Sequence, residues 1–367
     1  MNFIIKRKNI LKPLQKLNSL ISINHENPNI NNILFKIKNN YLFLISTNLE
    51  IELIVKVSCI KIYETEKISV SGKKILNIIR SFPVDSIIHI KIEKNNMKII
   101  CKNIYFLLSI LSGMNFPKFK KEKKTFNIDI SQKKFKDIIY NTQFAMAKQD
   151  VRHYLNGICL EINKNKISVI ATDGYRISIS SIMMTKFISS YHSVIIPRKT
   201  VIELIKLLND VDLPFNLCIG NKIIQFYINE YIFSSKLIDN DFPDYKNLLI
   251  KNFDVEIKIN RHKLKQALNR ASILTHQKTQ GVKLQFGHGE CIVTAYNEQE
   301  EKIKEKFLVN YSDKIIELTM NVHYILEVIN VIKNDFIKIL LNNSTSSIYI
   351  KDHQEFHSVY IIMPLIL

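Results

Sequence analysis

The chain repeats itself three times at a spacing of about 125 residues, and this limits its fold more than any other feature. The first copy has helix-like text from ILKPLQ to Leu20, then NNILFKIKNNYLFLISTN at 31–48. The second has a helix expected over Lys133–Ala145, then LNGICLEINKNKISVIATD at 155–173. The third has a helix over His262–Ile273, then GVKLQFGHGECIVTAYN at 281–297. Asn48, Asp173 and Asn297 end equivalent strands. The period is far longer than that of a solenoid, so the copies read as domains.

Each copy divides again into two units in which a strand leads into a helix and three strands follow. Strand Asn2–Lys6, a helix from about Asn9 to Leu20 and strands near 31–37, 41–47 and 51–59 form the first unit. Strand Lys67–Ser71, helix Gly72–Arg80 and strands near 86–92, 97–102 and 104–110 form the second, with a turn expected at Asn95-Asn96. Period-two alternation, as in IIHIKIEKNNMKIICK, marks the strands. Apolar residues three and four apart, as in Val201, Leu204, Ile205 and Leu208, mark the helices. Helices Arg198–Asn209 and Asn321–Lys333 belong to the fourth and sixth units. Polar Pro117–Thr125 and Asp244–Asp254, which lacks a clear period, read as connectors. The expected fold is α+β: three similar domains at 1–120, 126–244 and 252–367, together carrying six helices.

The formal net charge is +19, which points to a polyanionic partner. A surplus of Lys, Asn and Ile beside few Gly and no Trp is also what AT-rich codons produce, so placement matters more than number. Basic residues recur on the helices: Lys12 and Lys16; Lys73, Lys74 and Arg80; Lys133, Lys134 and Lys136; Arg198, Lys199 and Lys206; Arg261, Lys263, Lys265 and Arg270. The sixth helix has only Lys333. Helices on one wall of an arc would form a cationic track for a phosphate backbone.

Catalytic patterns are absent from the sequence. It contains no phosphate-cradling glycine loop and no G-x-S-x-G elbow. His353 and His357 lack the helical H-E-x-x-H order of a zinc site, and the acidic pair Glu300-Glu301 sits in a mixed run, EQEEKIKEK. A metal-dependent nuclease would need clustered carboxylates, and a single-strand coating protein would need exposed aromatic platforms. Five widely spaced cysteines form no C-x-x-C pair and fit a reducing compartment. No apolar run approaches the roughly 18 residues of a membrane span, and MNFIIKRKN lacks the order of a secretory signal. A cytoplasmic protein without cofactor, metal or membrane partner is expected.

ILKPLQ at 10–15, QDVRHYLNG at 149–157, ATDGYR at 171–176, PRK at 197–199, FPDY at 242–245, RASIL at 270–274, NVHYILEVIN at 321–330 and IIMPLIL at 361–367 together resemble the bacterial sliding clamp family, the beta subunit of DNA polymerase III. The resemblance spans the chain. It implies a non-enzymatic processivity factor: a head-to-tail homodimer ring with helices lining the hole, sheets outside, and sequence-independent duplex DNA within. It implies DNA-side residues Lys73, Lys74, Gln149, His153, Tyr154, Arg198 and Lys199, with Asn24 where the family often has Arg. It also implies a cleft for short peptides of the replicative polymerase's catalytic subunit, the clamp loader and repair proteins. The cleft residues are Leu155, Thr172, Gly174, Tyr175, Arg176, Ile177, Pro243, Leu248, Asn321, Tyr324, Ser347, Ile361, Ile362, Met363, Pro364 and Leu365. Tyr175 replaces a usual His, and Asn247 and Ile366 replace common Arg residues. For the dimer joint it implies Lys74, Tyr105, Phe106 and Leu108 on one copy and Ile273, Leu274, Glu300, Glu301 and Glu305 on the other. Lys302 and Lys304 interrupt that acidic segment, so apolar packing is expected to outweigh charge there.

Overall fold

A computed structural model describes residues 1–21, 28–120, 122–250, 252–343, 346–352 and 357–365. Asn24, His353 and Ile366 lie outside the described residues. The first unit runs β1 (Asn2–Lys6), α1 (Arg7–Leu20), β2 (Asn32–Lys38), β3 (Tyr41–Thr47) and β4 (Ile51–Ser58), and adds a short β5 (Lys61–Glu64). The second runs β6 (Lys67–Ser71), α2 (Gly72–Ser81), β7 (Ile87–Glu93), β8 (Asn96–Cys101) and β9 (Ile104–Ser109), and adds β10 (Leu111–Ser112). The third has β11 (Phe126–Ser131), α3 (Gln132–Tyr140), β12 (Gly157–Thr172) and β13 (Arg176–Pro197). The end of β13 leads into α4 (Arg198–Leu207), β14 (Pro214–Ile219), β15 (Ile223–Ile228) and β16 (Tyr231–Lys236). The fifth is β17 (Val255–Asn260), α5 (Arg261–Ala271), β18 (Gly281–Gly287), β19 (Glu290–Tyr296) and β20 (Lys302–Leu308). The sixth is β21 (Ile316–Asn321), α6 (Val322–Val331), β22 (Phe336–Leu341), β23 (Ile348–Asp352) and β24 (Ser358–Ile362).

The sequence pattern accounts for these elements. On α2, Ile75, Leu76, Ile78 and Ile79 are buried while Lys73, Lys74, Asn77 and Arg80 face solvent, as spacings of three and four require. β4 alternates buried positions with half-buried or exposed ones along IELIVKVS. Four expectations need correction. The helix expected to reach Ala145 stops at Tyr140, and Gln143–Ala145 form a separate 3-10 turn. Thr142 explains the stop: its hydroxyl donates back to the carbonyls of Ile138 and Ile139 and competes with the helical ladder. Likewise α5 ends at Ala271 before a 3-10 turn at Ser272–Leu274. The β7–β8 turn is Lys94-Asn95, one residue earlier than expected, with Lys94 at φ +52°. Finally, the third unit has two long strands instead of three shorter ones. Gly157–Ile162 pairs with His192–Pro197 and Lys166–Thr172 with Ile177–Met183, the register breaking around Lys164.

Every strand pair described is antiparallel. The chain groups into two compact units, Met1–Lys133 with Ile202–Leu237, and Lys134–Val201 with Ile238–Leu367. The first holds a five-stranded sheet, β5-β1-β7-β8-β9, and a nine-stranded sheet, β10-β6-β2-β3-β4-β16-β15-β14-β11. The second holds β12-β13-β24-β23-β22-β17 and β20-β19-β18-β21. In the second unit Leu264 and Leu268 of α5, Ile325 and Ile329 of α6, and Leu284, Val293 and Ile339 of the sheets form one fully buried cluster. Among the described residues, no helix is long and apolar enough to cross a membrane.

Candidate functional site

Three surfaces carry the residues singled out from the sequence. Most of the helical cations are exposed, and several, exposed or not, are engaged by groups of the chain itself. Lys12, Lys73, Lys74, Lys133, Lys134, Lys199, Lys206, Lys263 and Arg270 are exposed. Arg261 does something else: its Nε donates to the carbonyl of Asn334 (2.8 Å) and its Nη1 to that of Ile329 (3.4 Å), so it caps the carboxyl end of α6. Arg7, at the same place on α1, donates to Ile79 and Arg80 at the end of α2. Gln132 opens α3, and its Oε1 accepts from Asn209 just beyond α4. This position therefore staples the two helices of a pair, a role the sequence reading missed. Two further cations are paired in the chain, Lys206 with Glu203 and Lys333 with Asp137.

Gln149, with φ +58°, and His153 are exposed, and Tyr154 is half-buried. They sit on a loop built around Asp150. The Asp150 and Asn156 amides exchange bonds of 2.9 and 2.7 Å, and Arg152 donates from its backbone, Nε and Nη2 to the Asp150 carboxylate. These bonds from Arg152 hold the Asp150 carboxyl down at about 2, so it is ionised at any pH where the fold is used. Arg198 is half-buried, its Nη1 donating to Met146 O at 2.9 Å. Lys199 beside it stays free to face solvent.

The residues expected to bind a peptide all belong to the second compact unit. Asp173 caps the β12–β13 turn by accepting from the N–H groups of Tyr175 and Arg176. Thr172 accepts from Gly174 N–H and donates to Arg176 O. Gly174 has φ +94°, and a Cβ there would lie 3.2 Å from Arg152 Nη2. Gly174→Ala is expected to cost about 1 kcal/mol and lower the melting temperature by about 2 °C in a thermal scan. The carboxyl end is tied alongside: Met363 N–H donates to Tyr175 O (3.0 Å) and Leu365 N–H to Thr319 O (2.7 Å). Tyr349 OH donates to Leu248 O, which pins the loop after Pro243. Leu155, Ile177, Ile361 and Ile362 are buried. Tyr175, Pro243, Leu248 and Met363 are exposed, and Ser347, Pro364 and Leu365 are half-buried.

Arg176 turns out to be a hub. Its side chain is 8% exposed; Nε donates to Asp173, Nη1 to Glu327 and Nη2 to Phe144 O, and the guanidinium lies 4.3 Å from the Tyr324 ring centre. These bonds hold the turn against α6, whose N-cap is Asn321, accepting from His323 and Tyr324 N–H. Nothing local in the sequence marks Glu327 as its partner, since the two are 151 residues apart.

The third surface consists of two sheet edges. β9 ends the five-stranded sheet with Ile104, Tyr105 and Leu107 exposed and Phe106 and Leu108 half-buried. β20 ends the four-stranded sheet, its Lys302, Lys304, Lys306 and Leu308 exposed and its Ile303, Glu305 and Phe307 half-buried. Ile273 beside it is exposed, while Leu274 is half-buried. Glu305 is not free: Arg270 binds it in a fork at 2.7 and 2.5 Å, which lowers its pKa. Glu301 is tied to Asn297, and Glu300 has φ +63° in the preceding turn. Among the described residues, Lys74 forms no ion pair.

Three family models match in order along the chain: the N-terminal domain of the DNA polymerase III beta subunit at 1–120, its central domain at 129–244 and its C-terminal domain at 246–366. The chain belongs to the DNA polymerase III beta subunit family. Beta sliding clamps of Buchnera aphidicola from Rhopalosiphum padi and of Escherichia coli K12 are 40% and 34% identical to it, each over the full length of both chains. The DNA polymerase III beta subunit of Pseudomonas aeruginosa, 34% identical, superimposes with a TM-score of 0.97 over all of both chains. Another structure of the P. aeruginosa clamp carries bound griselimycin. The chain is accordingly a sliding clamp of DNA polymerase III, an accessory subunit that confers processivity and is not a catalyst. The expected α+β clamp fold is borne out. Its buried thiols suit a non-catalytic role, burial pushing Cys159 and Cys291 up to about 12.

Proposed function

We propose that two copies of this clamp close head to tail into a ring around duplex DNA and hold the replicative polymerase by a peptide seated between Tyr175, Leu248 and Met363. Modules at 1–120, 126–244 and 252–367 supply six helices per copy and twelve per ring. Exposed Lys73, Lys74, Lys199, Gln149 and His153, with Tyr154 and Arg198, meet the phosphate backbone without reading bases. Each contact is weak, as sliding requires; enclosure and not affinity keeps the clamp on DNA. The clamp loader and repair proteins use the same peptide site in turn. The protein works in the cytoplasm, without metal or cofactor.

The observation that carries this reading is the pair of open edges. A free strand with Ile104, Tyr105 and Leu107 bare to water invites uncontrolled pairing unless a partner covers it. Head-to-tail closure by a twofold gives each β9 edge one β20 edge and leaves none over. The test is topological. Clamp loaded by its loader onto a nicked circle should stay bound for many minutes, and a single restriction cut should release nearly all of it. Equal retention on cut and circular DNA would overturn enclosure in favour of adhesion.

A further inference from the structure

The segment after Pro243 has no hydrophobic period of its own, yet it carries Leu248, one wall of the peptide site proposed above. Its local bonds are plain. Asp244 accepts from Lys246 N–H (3.0 Å), and the N–H groups of Leu248 and Leu249 donate to Tyr245 O and Lys246 O, winding Lys246–Leu248 into a 3-10 turn. These bonds fix the shape of the turn and leave its position to longer contacts.

Two tyrosine hydroxyls supply such contacts. Tyr245 and Tyr349 are buried, and their rings belong to one apolar cluster with Ile177 and Ile361. From that cluster Tyr245 OH donates to Glu161 on β12 (2.9 Å), and Tyr349 OH donates to Leu248 O (2.5 Å). Phe253, near the far end of the segment, packs on the Tyr349 ring at 4.8 Å between centres. Tyr349 lies on β23 directly opposite Ile361 of β24, and Ile348 lies opposite Ile362. One phenol therefore joins the loop that bears Leu248 to the strand pair that leads into Met363. We propose that Tyr349, backed by Tyr245 and Glu161, is a positioning residue of the peptide site: its hydroxyl sets where Leu248 stands relative to Met363 before a peptide arrives. This rests on the peptide site proposed above.

The energetics favour a wall set in advance. A buried hydroxyl left unpaired costs more than its bond contributes when made, so both phenols keep their partners. Burial and Glu161 both raise the pKa of Tyr245, so its hydroxyl stays protonated and remains a donor. With the loop tied down, a binding peptide does not have to order it. With the tie cut, only the fraction of molecules whose loop stands in place can bind, and the apparent affinity falls by that fraction.

A double-mutant cycle tests this role. Tyr349→Phe removes the hydroxyl and keeps the ring in its cluster. Stopped-flow anisotropy with a labelled leucine- and phenylalanine-bearing peptide should show a dissociation constant about five- to tenfold higher, carried mainly by slower association. In a Leu248→Ala background the same change should cost less than about twofold, because the side chain it positions is gone. Glu161 is half-buried, which makes it a second test that spares the cluster. Glu161→Ala should weaken binding at least about threefold, and Glu161→Gln, which still accepts from Tyr245, less than about twofold. An equal cost of Tyr349→Phe in both backgrounds, or equal losses from Glu161→Ala and Glu161→Gln, would overturn the positioning role. So would full affinity in Tyr349→Phe where Leu248→Ala weakens binding, a result that leaves the peptide site standing. Unchanged affinity in both Leu248→Ala and Met363→Asp would overturn the site and the positioning role together.

Discussion

Met363→Asp is expected to abolish capture of a leucine- and phenylalanine-bearing clamp-binding peptide while leaving the ring and its hold on circular DNA intact. The Met363 side chain is 44% exposed, and its backbone N–H, not its side chain, secures the tail to Tyr175 O. The substitution therefore disturbs the folded chain little. In the proposed peptide complex the same side chain would be covered by apolar anchors, and a carboxylate there would give up water without gaining a partner. Nearby Asp173 and Glu327 already occupy Arg176, the cation that could otherwise offset the new charge. The dissociation constant should rise by at least about 100-fold, roughly 2.7 kcal/mol. Fluorescence anisotropy with a labelled peptide reads this, with sedimentation as the control for the dimer. Unchanged affinity would move the peptide site elsewhere.

The sequence made some features legible for definite physical reasons. Strand alternation and the three-and-four spacing on α2 arise from local side-chain periods, so β1, β6 and the helix beginning at Gly72 fall where expected. Helix ends were less legible because they depend on single competing bonds, as at Thr142, whose hydroxyl ends α3 five residues before Ala145. A count of helix cations could not separate Arg261, bound to the carbonyls ending α6, from exposed Lys263 two residues later. At the proposed peptide site the strand end at Asp173 was readable from the repeat. The use of Arg176 was not, because Glu327 and Phe144 come from distant parts of the chain. At the edges the departure from an acidic segment was visible in Lys302 and Lys304. That Glu305 already belonged to Arg270 needed the fold.

Phe106→Arg should separate the dimer, and salt should not. At the proposed joint the β9 edge bearing Phe106 meets the β20 edge, where Ile303 lies between Lys302 and Lys304. An arginine there loses the apolar contact, is desolvated without an acid opposite, and adds a positive charge to a lysine-bearing edge. Interface residues of this kind commonly cost 2 kcal/mol or more on truncation, and an unpaired buried charge costs about 3–5 kcal/mol. A rise in the dimer dissociation constant of at least about 100-fold is expected by analytical ultracentrifugation. Ile303→Arg on the opposite edge should match it. Two variants in separate sheets, each retaining its melting transition yet monomeric, would exclude misfolding as the cause. Sodium chloride at 1 M shortens the screening length to about 3 Å, which weakens exposed ion pairs strongly. With Glu305 and Glu301 already held within their own copy by Arg270 and Asn297, the unmodified dimer should change by less than about threefold between 0.1 and 1 M, apolar contacts being indifferent to charge screening. Dissociation of the unmodified dimer at low micromolar concentration in 1 M salt would show that charge holds the joint, and that Lys74 and the acids near β20 find partners across it.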